Sequence, residues 1–315
     1  MAKTKKKKEE QIRQKITWKE IKRQKTLLII SFFMVVYGMI FYYWPITGWV
    51  MAFQNYKPKN GLLGSKFIGL DKFKFLFSDA TFLRVIRNTF CMGLINLVTG
   101  TIMAILFAIL LNEIRLKYTK KIIQTVSYLP HFLSPIIVCC ILHDSLSSTG
   151  IVNDLLMKSG LITQEINFFA HPGYFWPIVA FANLWKETGW NAIIYLAAIT
   201  AIDPSLYEAA SIDGAGRINK IRYITLPSIR PTIMILLLMN IGNVLNQGFE
   251  IQYLLGNGLV QKVSQTIDIY VLKWGISQND FSLGTAAGIF KSAVSIALIL
   301  IFNTWAKKSG EESMF

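Results

Sequence analysis

Side chains able to do chemistry are few in this sequence and poorly spaced for it. Cys91, Cys139 and Cys140 all lie in apolar stretches, where they read as packing residues and assemble no disulfide framework or zinc knuckle. His131, His143 and His171 are scattered, without ligand spacing. No GxxxxGK[ST] phosphate loop and no HExxH helix occurs, and Gly214-Ala215-Gly216 lacks the preceding strand that a dinucleotide fingerprint requires. The sequence therefore predicts no catalytic residue, no metal and no cofactor held by this chain. Energised work would need ATP and Mg handled by a partner.

The informative chemistry is conformational. Residues 203–227 read Asp-Pro-Ser-Leu-Tyr-Glu-Ala-Ala-Ser-Ile-Asp-Gly-Ala-Gly-Arg-Ile-Asn-Lys-Ile-Arg-Tyr-Ile-Thr-Leu-Pro. Asp203 can cap a helix, Pro204 suits the first helical position, and Ser205 with Glu208 adds a second start signal. Leu206, Ala209, Ala210 and Asp213 fall at helical spacing, leaving small residues where another protein can approach closely. Gly214 and Gly216 permit the backbone angles that end such a helix. A short helix held beneath a membrane bundle can be pushed as a lever.

Polar residues inside apolar stretches form a second set. Asn240, Asn243, Asn246, Gln247 and Glu250 recur at intervals of three and four, which stacks them on one face of a continuous helix. They read either as packing bonds between helices or as the polar lining of a substrate pathway. Trp185 and Trp190 flank Lys186 and Glu187; their rings could face a substrate, yet tryptophans are also common at membrane interfaces. Lys291 sits between apolar runs, where a lipid-facing ammonium costs at least about 2.5–3.5 kcal/mol. It is expected to face protein or water, with Asn240, Asn243 and Glu250 as the local candidates to receive it.

The elements that must position these residues are membrane helices. Hydrophobic residues make up 53% of the 315, with a mean hydropathy of +0.42, more than a soluble domain of this length normally carries. Asp, Glu, Lys and Arg are missing from Thr26 to Phe53, Asn88 to Asn112, Ile122 to His143, Ile166 to Trp185, Pro231 to Phe249 and Ser292 to Ala306. Most of these blocks reach the ~20 residues that a helix needs to cross a bilayer. Six spans are predicted near 27–47, 86–111, 123–142, 174–200, 231–251 and 284–305, giving an all-α integral membrane protein.

Orientation follows from the basic residues, which collect on the cytoplasmic side. The segments on the side of the termini hold eleven Lys and Arg in 1–25, four in 112–123, four in 203–230 and two in 306–315. The opposite segments hold five in 45–83, one in 143–173 and two in 250–283. Both termini are therefore expected in the cytoplasm. Residues 1–25 form a basic tail, 26–308 the transmembrane domain with its loop at 203–230, and 309–315 a second tail. The net charge of +15 is then largely topological, and the run from Lys3 to Lys8 reads as a tail near anionic lipid rather than a nucleic-acid site. A secretory signal is not expected, because the first apolar block is too long and lacks a small-residue cleavage site.

The loop carries a resemblance. Glu208-Ala209-Ala210, three residues, Gly214, nine residues and Ile224-Thr-Leu226-Pro227 resemble the signature of ABC importer permeases. Phe67 to Phe73, Asn88-Thr89-Phe90 and Tyr207 beside Glu208 look like the carbohydrate-uptake branch, and Asn55 to Ser65 resembles permeases for complex oligosaccharides. The resemblance covers about residues 25–308 and implies the ABC importer permease fold. It implies that Tyr207, Glu208, Ala209, Ala210, Asp213, Gly214 and Ala215 form a coupling helix docked on an ATPase. It also implies a second homologous permease, two ATPase subunits and an extracellular solute-binding protein, in a bacterial cell membrane. Trp185, Trp190, Asn240, Asn243, Gln247, Glu250 and Lys291 are the candidate substrate pathway. The rivals are a self-sufficient secondary transporter or channel, which needs no coupling helix, and an intramembrane lipid-modifying enzyme, which needs a clustered acid, base or metal set.

Overall fold

The computed structural model describes residues 18–246 and 249–310. The lysine-rich start, Gln247 and the last residues of the C-terminal tail lie outside them. Two compact units make up the chain, 1–51 and 52–315. In the first, α1 (Lys25–Gly38) continues through a π turn, Met39–Tyr43, and a 3-10 stretch, Trp44–Phe53. Together they give an apolar run of 29 residues, long enough to cross a bilayer.

The second unit starts with a small antiparallel pair, β1 (Gln54–Asn55) and β2 (Lys66–Phe67), with Gln54 opposite Phe67. After α2 (Asp71–Ser78) comes α3 (Ala80–Glu113). Asp79 opens α3 by accepting a bond from the Thr81 N–H at 2.8 Å, satisfying one of the donors that a helix start leaves over. At 34 residues, α3 runs ~51 Å.

The predicted third span is broken. Instead of one helix over 123–142, the chain forms α4 (Lys117–Tyr128), a 3-10 turn at Leu129–Phe132, α5 (Pro135–Leu146) and α6 (Ile151–Lys158). The reason lies in Pro130 and Pro135, each without an N–H and each disfavouring helix at the residue before it. Ser134 restarts the chain by capping Ile137 N at 3.3 Å.

Next come α7 (Pro172–Thr200) and, bent by 68°, α8 (Pro204–Ile212). The fifth span lies earlier than predicted. Arg217–Lys220 and a π turn at Ile221–Thr225 lead directly into α9 (Leu226–Ile241). Pro227, just after the π turn, and Pro231 are both accommodated within this continuous helical stretch. The chain continues through α10 (Glu250–Leu255), then α11 (Ile267–Tyr270) with the π turn Val271–Ser277, and α12 (Phe281–Lys308). Five helical stretches among the described residues are long and apolar enough to cross a membrane by themselves, and α7 joins them when taken with α8.

The core is organised around α3 and α7, which share the most extensive contact. Toward one end Met92, Val138, Leu142, Phe175, Val179, Ile251 and Leu255 bring α3, α5, α7 and α10 together. Toward the other, Ala104, Ala108, Ala192, Tyr195 and Ile229 join α3, α7 and α9. A third cluster seats α2, α11 and α12 against the start of α3 through Leu76, Phe82, Tyr270 and Ala286. Asn88 and Thr89 fasten the chain before α11: Asn88 donates to the carbonyls of Lys262 and Gln265, at 3.0 and 3.1 Å, and Thr89 accepts from Ile267 N. Where the turn after α11 meets α12, the backbones touch. A Cβ on Gly275 would lie 2.8 Å from the Gly284 Cα, and one on Gly284 would lie 3.0 Å from the Gly275 Cα.

Candidate functional site

The loop between α7 and α9 folds as a free-standing helix closed at both ends. Asp203 is the cap, its carboxylate accepting from Ser205 N at 2.9 Å. Bonds to Ser205 hold the Asp203 carboxyl below its usual range. Ser205 itself lies inside the helix, so the second start signal read with Glu208 is not used: Pro204 already occupies the first helical position. At the far end Gly214 takes φ +76. Ala215 N donates to the Ala210 carbonyl at 2.8 Å and Gly214 N to that of Ser211 at 3.1 Å, the paired bonds of a left-handed helix stop.

No residue of α8 is buried. Leu206, Glu208, Ala209, Ser211, Ile212 and Asp213 are exposed, while Tyr207 and Ala210 are half-buried. Tyr207 turns inward, its hydroxyl 2.9 Å from the buried Thr225 hydroxyl just before α9. Lys220 adds a bond to Ser211 Oγ. Thus α8 is tied to the start of α9 while its outer face, which carries Leu206 and Ile212, stays uncovered.

Above the loop, α3, α7 and α9 enclose a cavity of about 390 Å³, within the ~300–1,000 Å³ of ligand pockets. Its polar lining comes from Asn96, Thr99 and Thr101 of α3, Asn183, Glu187, Thr188, Asn191 and Tyr195 of α7, and Asn240 of α9. Sequence reading identified Asn240 and missed the α7 set. The signal was present: Asn183, Glu187 and Asn191 are spaced by four, which places them on one helical face.

Glu187 is held from behind. Lys186 Nζ reaches Glu187 Oε1 at 2.8 Å and donates to the His131 carbonyl at 2.9 Å, and His131 Nδ1 lies 2.8 Å from Glu187 Oε2. Because a carboxylate only accepts, Nδ1 carries the proton. His131 stacks on Trp190 with centroids 4.4 Å apart, covering one face of the ring that was a candidate for sugar. Trp185 borders a different, apolar groove with Phe168, Tyr174 and Phe181. At Gly189 α7 lies directly on α4, where an added Cβ would fall on the Ser127 carbonyl.

Two expectations are corrected. The five polar residues do not share one helical face, because α9 ends at Ile241 and the chain turns through 242–246 before α10 begins at Glu250. Asn240 alone of them lines the cavity; Asn243, Asn246 and Glu250 are exposed beyond the helix end, and Gln247 is outside the described residues. Lys291 does not reach that set either. It forms a two-pronged ion pair with Asp268, at 2.6 and 2.8 Å, joining α12 to α11. The carboxylate that satisfies this ammonium is the second residue of α11, and sequence spacing gave no sign of that proximity.

Residues 97–309 match the family described as binding-protein-dependent transport system inner membrane component. The chain belongs to this family of ABC importer permeases. A polygalacturonan/rhamnogalacturonan transport system permease of Bacillus subtilis (strain 168) is 42% identical over 93% of this chain and 91% of its own length. An arabinooligosaccharides transport system permease of Halalkalibacterium halodurans is 30% identical over 90% and 89%. A chain of a bacterial ABC transporter that imports the acidic polysaccharide alginate superposes with a TM-score of 0.85 at 38% identity, covering 92% of this chain and 98% of that one. The same transporter type in complex with alginate pentasaccharide-bound periplasmic protein gives 0.86 at 37%, over 94% and 99%. Like these permeases, the chain is a multi-pass membrane protein of the transport machinery.

Proposed function

We propose that this chain is one of two homologous permeases in an ATP-driven importer of oligosaccharides in a bacterial cell membrane. The observation that carries the reading is the pairing of an uncovered, doubly capped α8 with a polar cavity between the same helices that flank it. Two ATPase subunits hydrolyse ATP with Mg, and α8 docks on one of them through Glu208, Ala209 and the exposed Leu206 and Ile212. An extracellular solute-binding protein delivers the sugar, as the periplasmic protein accompanies the alginate transporter. Both termini and α8 face the cytoplasm, in keeping with the Lys and Arg distribution.

The cavity wall of α3, α7 and α9 contributes this subunit's part of the pathway. Its amides and hydroxyls offer both donors and acceptors, which sugar hydroxyls require. Curated relatives that carry polygalacturonan, rhamnogalacturonan and arabinooligosaccharides support oligosaccharide fragments of polysaccharides as the substrate class. The test is co-expression with a homologous permease and an ATPase subunit, purification of the complex and reconstitution with a binding protein. ATP-dependent uptake of an oligosaccharide is the expected result; uptake by this chain alone, without ATP, would refute the proposal.

A further inference from the structure

We infer that Glu187 is a specificity-determining acceptor on the cavity wall, which fits this subunit's share of the pathway to uncharged, hydroxyl-bearing faces of an oligosaccharide rather than to its carboxylates. The inference rests on the pathway reading above and narrows it. Among the described residues lining the cavity, Glu187 is the one ionisable at neutral pH, and no Lys, Arg or His stands with it. The remaining polar groups are amides and hydroxyls.

The two basic side chains nearest in the network, Lys186 and His131, hold the carboxylate and do not line the cavity. Lys186 is 12% exposed and spends its ammonium on Glu187 and the His131 carbonyl. The His131 ring is held by Glu187 on its edge and Trp190 on its face. Each Glu187 oxygen therefore takes one bond from the protein, and a carboxylate has about four acceptor positions. The remaining ones belong to the 35% of the side chain left exposed. Lys186 and His131 each hold one oxygen and so fix the carboxylate, and little rotamer freedom is lost when a hydroxyl binds. A diol meets two strong acceptors here, whereas a uronate meets like charge and no cation.

A galacturonate oligosaccharide and its methyl-esterified form separate the alternatives, because they share a skeleton and differ in charge. Uptake of both is measured in proteoliposomes holding the whole complex, with wild-type chain and with Glu187→Gln. A bond to a charged acceptor is roughly twice as strong as one to a neutral acceptor, so kcat/KM for the ester falls by roughly tenfold. For the acid, weaker attraction is offset by relieved repulsion, so the ester-to-acid ratio falls by roughly threefold or more. A purely structural Glu187 lowers both equally, and an unchanged ratio overturns the inference.

If Glu187→Gln prevents assembly, the double change Lys186→Met/Glu187→Met removes both charges without stranding either and must shift the ratio the same way. Asn191→Ala and Asn240→Ala separate the two levels of the argument. If they lower uptake while the Glu187 ratio stays fixed, the pathway reading stands and this inference falls. If assembled complexes carrying them import normally, or if the wild-type complex imports neither probe, the underlying reading falls with it.

Discussion

The Lys291–Asp268 pair offers a quantitative test of what holds α12 in place. Lys291 is 13% and Asp268 30% exposed, so both have lost most of their water, and the two contacts at 2.6 and 2.8 Å replace it. Removing one partner of a buried pair costs ~3–5 kcal/mol because the other is left uncompensated. Partial exposure of Asp268 puts Lys291→Met toward the low end, at about 3 kcal/mol, or roughly a hundredfold in the folding equilibrium. Asp268→Asn strands the more buried ammonium and should cost at least as much. The double change Lys291→Met/Asp268→Leu exchanges the pair for apolar packing and should return to within about 1 kcal/mol of wild type. Unfolding midpoints of the purified complex in a denaturing-detergent titration give the four corners of the cycle. Additive losses, with the double variant worse than either single one, would refute the reasoning. Loss of uptake in a normally stable double variant would instead make the pair part of the transport path.

Three further expectations concern the loop, the topology and the helix contacts. Gly214→Pro imposes φ near −65° where the chain needs +76, so the complex should retain ATP turnover while uptake is lost; normal uptake would remove α8 from coupling. Single cysteines near Lys120 and Ser211 should be shielded from an impermeant thiol reagent in intact cells while one near Lys59 reacts, and labelling of the first two before permeabilisation would reverse the topology. Gly189→Ala should destabilise the complex by ~1–3 kcal/mol, seen as lower heat resistance in detergent; Ser127→Gly should not rescue it, because the new methyl meets the backbone carbonyl.

Much of the membrane architecture was legible because it depends on runs of apolar residues and on local start and stop signals. Asp203, Pro204 and Gly214 specify α8 within a few residues, and the structure uses each of them as the sequence implied. The errors arose where a run of apolar composition conceals a change of backbone course. Pro130 and Pro135 break the third span without any charge to mark the event, and the chain leaves helical geometry after Ile241 although the polar spacing continues in phase. The Lys291 partner was illegible for another reason: Asp268 is brought to it by the turn after α11, a tertiary event with no local pattern. By contrast, the α7 stripe of Asn183, Glu187 and Asn191 was readable, and the brighter Trp-Lys-Glu-Trp cluster around it obscured it.

The backbone contact between Gly275 and Gly284 has an evolutionary consequence. Most crowded pairs can drift, since enlargement on one side is offset by reduction on the other. Here both members already have the smallest side chain available, and each added Cβ would approach the opposite Cα to 2.8–3.0 Å, closer than carbon atoms normally pack. No compensating substitution exists at the partner position, so neither site has a neutral neighbour in sequence space. A saturation library covering both positions, selected for assembled complex, should return glycine at each and no viable pair that lacks it.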